Sequence, residues 1–345
     1  MLKRDGAPLP PELLQQTTEH MAFRGPDYLN TWVEDAVGLG HAAFQTTNEG
    51  PAEQQPLTLD GRVWLNAYAR LDDRGHLRRR LAAAGRQVPD QASDAALILH
   101  AYHLWQTECP RYLMGDFAFV IWDAAASRLF CARDRFGIRP LYYATTGSTL
   151  LVGNTLSAIR QFPGVAQELD KLAIADYLLF GYFNDLAMTA YTSIRRLPPA
   201  HVLNWKAGDM TTARYWSLPK ETPLRYRRAG EYVAHFNELF FAAVSDRLRT
   251  DRFAVTMSGG LDSTAVAAVA AAQLRQGPQA DHIHAFTNSY QSLMPDDETY
   301  FARIAAEFLN IPLHGRDVGG YTLFDRWGQL DLRASEPGDR SLAAW

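Results

Sequence analysis

The chain has 345 residues, 47% of them hydrophobic and 21% charged, with a formal net charge of -4, the balance of a globular protein long enough for two domains. That charge points away from a nucleic-acid-binding surface. Two cysteines, Cys109 and Cys131, exclude a disulfide framework and a Cys/His metal cluster. The start, MLKRDGAPLP, lacks the apolar run of a signal peptide, and the longest apolar run, Thr264–Leu274, is too short to cross a bilayer. The expectation is a cytoplasmic protein with no membrane and no nucleic-acid partner.

The first two-thirds reads as short strands with a few helices. VWLNAYARL (Val63–Leu71) is a strand bounded by Asp60-Gly61 and Asp72-Asp73. SDAALILHAYHLW (Ser93–Trp105) has helical apolar spacing, with Ser93 placed as an N-cap. FAFVIWD (Phe117–Asp123) and RLFCARD (Arg128–Asp134) form a hairpin, and LYYATTGSTLLVGN (Leu141–Asn154) repeats the pattern around Gly147-Ser148. LDKLAIADYLLFGY (Leu169–Tyr182) is a helix stopped by Gly181. Residues 217–230 carry two prolines and read as a linker. The pattern then changes. A helix runs from Glu231 to about Leu248, followed by a strand (Phe253–Met257), a helix (Ser263–Leu274), a strand (His282–Asn288) and a helix (Glu298–Leu309). Strand alternating with helix signals a parallel sheet. The expected domains are therefore 1–216 and 231–345.

The second domain holds the most informative stretch, FAVTMSGGLDSTAV (Phe253–Val266). A strand feeding a tight turn and a helix presents free helix N-terminal amides to an anion. Gly259 and Gly260 would let a phosphate approach the backbone, and Ser258 and Ser263 could donate to phosphate oxygens. Asp262 would repel a phosphate directly but suits Mg²⁺ bridging phosphates. Leu261-Asp262 stands where a Walker loop needs Gly-Lys, which argues against γ-phosphoryl transfer. The bland reading is a Gly-Gly turn with a helix cap.

The full SGGLDS in this setting resembles the pyrophosphate loop of the ATP pyrophosphatase family, whose members cleave ATP to AMP and pyrophosphate while activating a carboxylate or carbonyl. The upstream motifs narrow the resemblance. RGPD (Arg24–Asp27), YLMGDFAFVIWD (Tyr112–Asp123), RDRFGIRPLYY (Arg133–Tyr143), LPPAHVL (Leu197–Leu203) and RYW (Arg214–Trp216) follow the order found in glutamine-hydrolysing asparagine synthetases. The resemblance implies an α+β N-terminal nucleophile hydrolase-like sandwich, followed by part of an α/β parallel-sheet ATP pyrophosphatase domain. It implies ATP and Mg²⁺ as cofactors and a small-molecule or peptide carboxylate as substrate, with a homodimer as the assembly to test. The implied ATP-binding residues are Thr256, Met257, Ser258, Gly259, Gly260, Asp262, Ser263 and Thr287, with Asp262 as metal ligand. Arg24 and Asp94 match glutamine-binding positions and otherwise read as a structural loop arginine and a first-turn helix acid.

Three departures accompany this resemblance. No cysteine follows Met1, where the family carries its nucleophile, so no catalytic residue is assigned in the first domain. A strand's worth of residues is expected before Met1, and its lack predicts an exposed sheet edge and poor solubility. Aligned through the following Leu-Asp-Asp-Arg, the family's glutamine-gripping Asn-Gly falls on Ala67-Tyr68, with Asn66 one step away and facing the other side. The family's second acidic loop and its lysine would lie beyond Trp345, and more strands are expected to cover the parallel sheet. The segments Tyr68–Leu77 and Pro295–His314 resemble a divergent branch containing lasso-peptide macrolactam synthetases, which use an amine already on the substrate. The remaining alternative is an inactive fragment or a non-catalytic binding module.

Overall fold

The computed structural model describes residues 1–47, 53–220, 222–250, 252–274, 283–290, 297–319 and Glu336. Pro295, Asp296 and all of SEPGDRSLAAW except Glu336 lie outside the described residues. The chain divides into two compact units, Met1–Lys220 together with Leu330–Trp345, and Glu221–Gln329.

In the first unit the elements are β1 (Leu2–Lys3), α1 (Pro11–Glu19), β2 (Tyr28–Glu34), β3 (Val37–Ala43), β4 (Leu57–Thr58), β5 (Val63–Leu71), α2 (Arg74–Ala83) and α3 (Asp94–Trp105). They continue as β6 (Gly115–Asp123), β7 (Arg128–Arg133), β8 (Tyr142–Thr146), β9 (Thr149–Gly153), α4 (Leu156–Arg160), α5 (Lys171–Phe180), β10 (Ile194–Arg196), β11 (His201–Lys206) and β12 (Asp209–Arg214). Two six-stranded antiparallel sheets form, ordered β10-β8-β9-β1-β3-β2 and β12-β11-β7-β6-β5-β4. Apolar side chains of both inner faces, among them Leu2, Val37 and Leu150 from one and Ala118, Cys131 and Leu203 from the other, fill the space between them. A second core joins the outer face of β5–β7 to α2 and α3, and a third joins β8 and β9 to α4. This is the layered sandwich of an N-terminal nucleophile hydrolase.

The local signals act as chemistry requires. Ser93 Oγ accepts from the Ala96 amide at 3.1 Å, and Gly181 ends α5 in the left-handed region at φ +76°. The strands β2, β3, β10, β11 and β12 and the helices α1 and α2 were not separately expected; their short, mixed-polarity sequences carry weak periodic signals.

β1 corrects one expectation. It lies inside its sheet, between β9 and β3, rather than at an edge. The Met1 amine donates to Gly38 O at 2.8 Å and the Gly38 amide donates back to Met1 O at 3.0 Å.

The second unit comprises α6 (Ala229–Ser245), β13 (Phe253–Thr256), α7 (Leu261–Leu274), β14 (Ile283–Ser289), α8 (Asp297–Leu309) and β15 (Leu313–Asp317). The sheet is parallel in the order β13-β14-β15. β15, too polar to announce itself, was not expected. α6 starts two residues earlier than expected because Glu231 reaches back to accept from the Arg227 and Arg228 amides at 2.9 and 3.3 Å. Alanines of α7 and α8, including Ala267, Ala270, Ala302 and Ala306, pack against Ile283 and Ala285 of the sheet. Small side chains let helix and sheet approach closely. On β14 the alternate residues Phe286 and Asn288 are exposed, so one face of this sheet is covered and the other is bare among the described residues. No helix of the described residues is long and apolar enough to cross a membrane.

Candidate functional site

The SGGLDS loop lies at the carboxyl end of β13, where ligands bind in open parallel α/β sheets. The Met257 amide donates to Phe286 O at 2.8 Å, and Met257 is buried, so its side chain belongs to the core. The loop is tied internally. The Ser258 amide donates to Ser263 Oγ at 3.2 Å, and the two hydroxyls lie 3.3 Å apart. Gly260 caps α7, its carbonyl accepting from the Thr264 amide at 3.2 Å. The first-turn amides of Leu261, Asp262 and Ser263 therefore have no intrahelical acceptor and offer a concentrated positive end.

The two glycines differ in kind. Gly259 has φ +77°, and a Cβ there would lie 2.5 Å from the Ala302 amide nitrogen and 2.6 Å from Phe301 Cβ of α8. Its lack of a side chain admits a helix, a packing role beside the phosphate approach expected of it. Gly260 meets only Ser258 Oγ at 3.4 Å and leaves its outer side open. Asp262 is exposed beside these amides. One carboxylate together with phosphate oxygens is the donor set Mg²⁺ accepts in nucleotide sites, so Ser258, Gly260, Asp262 and Ser263 fit an Mg²⁺–triphosphate. Among the described residues no group of three or more His, Cys, Asp or Glu could hold a metal by itself.

Thr256 is exposed at the end of β13, whereas Thr287 is buried. Thr287 lines a cleft of about 290 Å³ with Thr299, Arg303 and Glu307 of α8 and Gly315 of β15. A ligand touching Thr287 would have to enter that cleft.

In the first unit, the RDRFGIRP stretch is scaffold. The buried Asp134 carboxylate accepts from the amides of Phe136, Ile138 and Arg139 at 3.1, 3.0 and 2.9 Å. Arg133 donates to the carbonyls of Gly137, Arg139 and Leu197 at 2.6, 2.7 and 2.7 Å, and burial pulls its guanidinium down to about 10. Gly137, at φ +69°, has no room for a Cβ beside Pro199 and Arg133. The Ala200 amide donates to Asp134 O, and Tyr215 Oη donates to Arg133 O at 2.9 Å. Three separated motifs thus close one knot of hydrogen bonds.

A polar cluster gathers around Asn66 of β5, His41 of β3 and Tyr28 of β2. Asn66 reaches across from β5, its Nδ2 donating to Gly40 O at 2.6 Å. Tyr28 Oη accepts from the Gln55 amide at 3.1 Å, and Gln55 Nε2 donates to Glu53 at 3.0 Å. Burial pushes Glu53 up to about 7, with Asp94 adding to it and the Gln55 hydrogen bond opposing. Burial holds His41 down at about 4 despite its hydrogen bond with Asn66. The sequence reading set Asn66 aside as facing the wrong way. In the structure Trp64 and Asn66 face the opposite sheet, Trp64 stacking on Trp32 at 4.5 Å, while Val63, Leu65 and Ala67 face the helices. That period-two alternation was the usable signal.

Asp94 is buried, accepting from the Leu71 amide at 3.0 Å and pairing with Arg74 at 3.1 Å. Arg24 ends a 3₁₀ turn, Ala22–Arg24, and is half-buried. Tyr68 stays exposed, with the Arg139 guanidinium carbon 3.8 Å from its ring centroid. Cys131 is fully buried, and burial pushes its thiol up to about 12. Burial also lowers the Met1 amine to about 6. A thiol held that far from ionisation is no nucleophile.

This fold and loop define a glutaminase-type sandwich joined to an ATP pyrophosphatase-type sheet. The family described as glutamine amidotransferase domain matches residues 3–216, and that described as asparagine synthase matches residues 235–343. Asparagine synthetase [glutamine-hydrolyzing] 3 of Bacillus subtilis is 30% identical over 293 residues, covering 84% of this chain and 46% of the relative. Amidase chry2 of Gibberella zeae is 27% identical over 318 residues, covering 88% and 46%. The solved glutamine phosphoribosylpyrophosphate amidotransferase of B. subtilis aligns with 90% of this chain and 64% of its own, at 15% identity and a TM-score of 0.44. The chain belongs to the asparagine synthetase family. It spans about half the length, 46%, of these curated relatives.

Proposed function

We propose that this protein is an ATP-dependent, AMP-forming amide ligase whose first domain does not release ammonia from glutamine. The observation that carries the reading is the Ser258–Ser263 loop at the carboxyl end of β13, which holds the first-turn α7 amides, two neighbouring hydroxyls and an exposed Asp262. Donors fixed before binding stabilise charge as it builds on departing pyrophosphate, and Asp262 would hold the Mg²⁺ that shares that charge. A carboxylate is activated as an adenylate and an amine displaces AMP. In the first domain, Asp94 is engaged by Arg74, Cys131 is inert, and Tyr68 and Arg139 occupy each other.

The test is incubation with Mg·ATP, aspartate, and either ammonium chloride or glutamine. AMP, pyrophosphate and asparagine are expected from ammonium and not from glutamine. ADP as product refutes cleavage between the α and β phosphates; asparagine from neither donor refutes aspartate as acceptor.

A second reading is supported by the Tyr68–Arg139 stack, which replaces open backbone at a glutamine-binding position. Here the amine is already on a peptide substrate, as in macrolactam synthetases. Cyclisation or isopeptide formation without any added amine would favour it over the ammonia-dependent reading.

A further inference from the structure

The face of the first unit that carries α4 holds a group the proposed chemistry does not use. Arg196, the last residue of β10, lies directly opposite Tyr142 of β8. Its side chain is only 17% exposed, and its guanidinium carbon sits 5.6 Å from the Tyr142 ring and 5.4 Å from the Phe183 ring. Two rings that close to a mostly buried cation keep water from it, and it then needs an anion. The anion is Glu336, whose side chain is 1% exposed and forms an ion pair with Arg196. Tyr142 Oη donates to the same carboxylate at 3.2 Å, and the Ala190 amide donates to its other oxygen at 3.2 Å. Three donors from three separate positions thus converge on one carboxylate. Glu336 lies within the stretch matched by the asparagine synthase family, yet it is grouped with the first unit.

We propose that Arg196, Tyr142 and the Ala190 amide form a carboxylate-binding site of the glutaminase-type unit, with Glu336 as its ligand in cis. The geometry supports a receptor rather than an incidental ion pair. Both carboxylate oxygens are engaged, the donors come from β8, β10 and the loop before β10, and the cradle is assembled by residues far from Glu336 in sequence. Removing the carboxylate leaves a buried cation beside Arg133, which also bears charge there. Any small carboxylate that fits the vacated space restores the balance, whereas a neutral amide does not.

The experiment uses the full chain. Glu336→Ala retains Cβ, so acetate can supply the missing carbon and carboxylate. The expected result is a lowered unfolding midpoint that sodium acetate raises, while sodium chloride at equal ionic strength and acetamide do not. The Arg196→Met/Glu336→Ala double variant is expected not to respond to acetate. An equal response of Glu336→Ala to acetate and chloride, or a full acetate response in the double variant, overturns the proposal. A variant that fails to fold is replaced by Glu336→Gln, which keeps the shape and loses the charge. Hydrogen exchange at the Arg196 amide, bonded to Ala187 O at 2.8 Å, is then expected to accelerate by at least about tenfold through local opening. Unchanged exchange there overturns it equally.

Discussion

Gly259 and Gly260 are adjacent and look interchangeable, yet they should fail differently. In Gly259→Ala the new Cβ meets the backbone of α8 at 2.5 Å, and a backbone atom cannot rotate away. The left-handed conformation adds roughly 1–2 kcal/mol for an L-residue, and overpacking adds about 1–3 kcal/mol. A loss of about 2–5 kcal/mol is a large share of a typical domain's stability, and it should lower the midpoint of the second unit by about 10 °C or more. In Gly260→Ala the Cβ meets only a serine hydroxyl at 3.4 Å, so the fold should lose less than about 1 kcal/mol. Its Mg·ATP affinity should nevertheless fall, because the methyl group projects where a phosphate approaches. Calorimetry paired with nucleotide titration separates the two effects. Wild-type stability in Gly259→Ala refutes the packing argument. Undiminished ATP affinity in Gly260→Ala refutes the phosphate path.

Asp262→Ala should leave the fold intact, since Asp262 is exposed, and weaken Mg·ATP binding by at least about tenfold; equal titration curves would count against Asp262 as metal ligand. Asp134→Ala removes the acceptor of three loop amides and should destabilise the first unit by about 3 kcal/mol or more, read by denaturant unfolding. Glu53 ionises near 7 in the folded chain against 4.5 otherwise, so the folded state holds the extra proton between these values. Its stabilising contribution is complete below pH 4.5 and is lost as pH rises through 7, a change of about 3 kcal/mol. Glu53→Gln should therefore gain on the wild type as pH rises from 5 to 8. His41, lowered to about 4, contributes the opposite slope between 4 and 6.5 in both proteins and cancels in the comparison. A pH-independent difference between the two proteins would contradict the buried Glu53.

The amino-acid sequence by itself determined features governed by neighbours along the chain. Alternation marked β5 to β9, Ser93 and Gly181 marked helix ends, and SGGLDS marked the turn from strand β13 to helix α7, because caps, turns and periodicity are local. Motif order also determined the family. The tertiary structure decided what depends on distant partners. It shows that Gly259 makes room for α8, that Asp134 and Arg133 tie three motifs together, and that Asn66 faces His41 rather than solvent. It places β1 in the middle of its sheet, where no local pattern could put it. The Glu336 cradle is the extreme case, since its donors at Tyr142, Ala190 and Arg196 become a site only when the fold brings a carboxylate from 140 to 194 residues away.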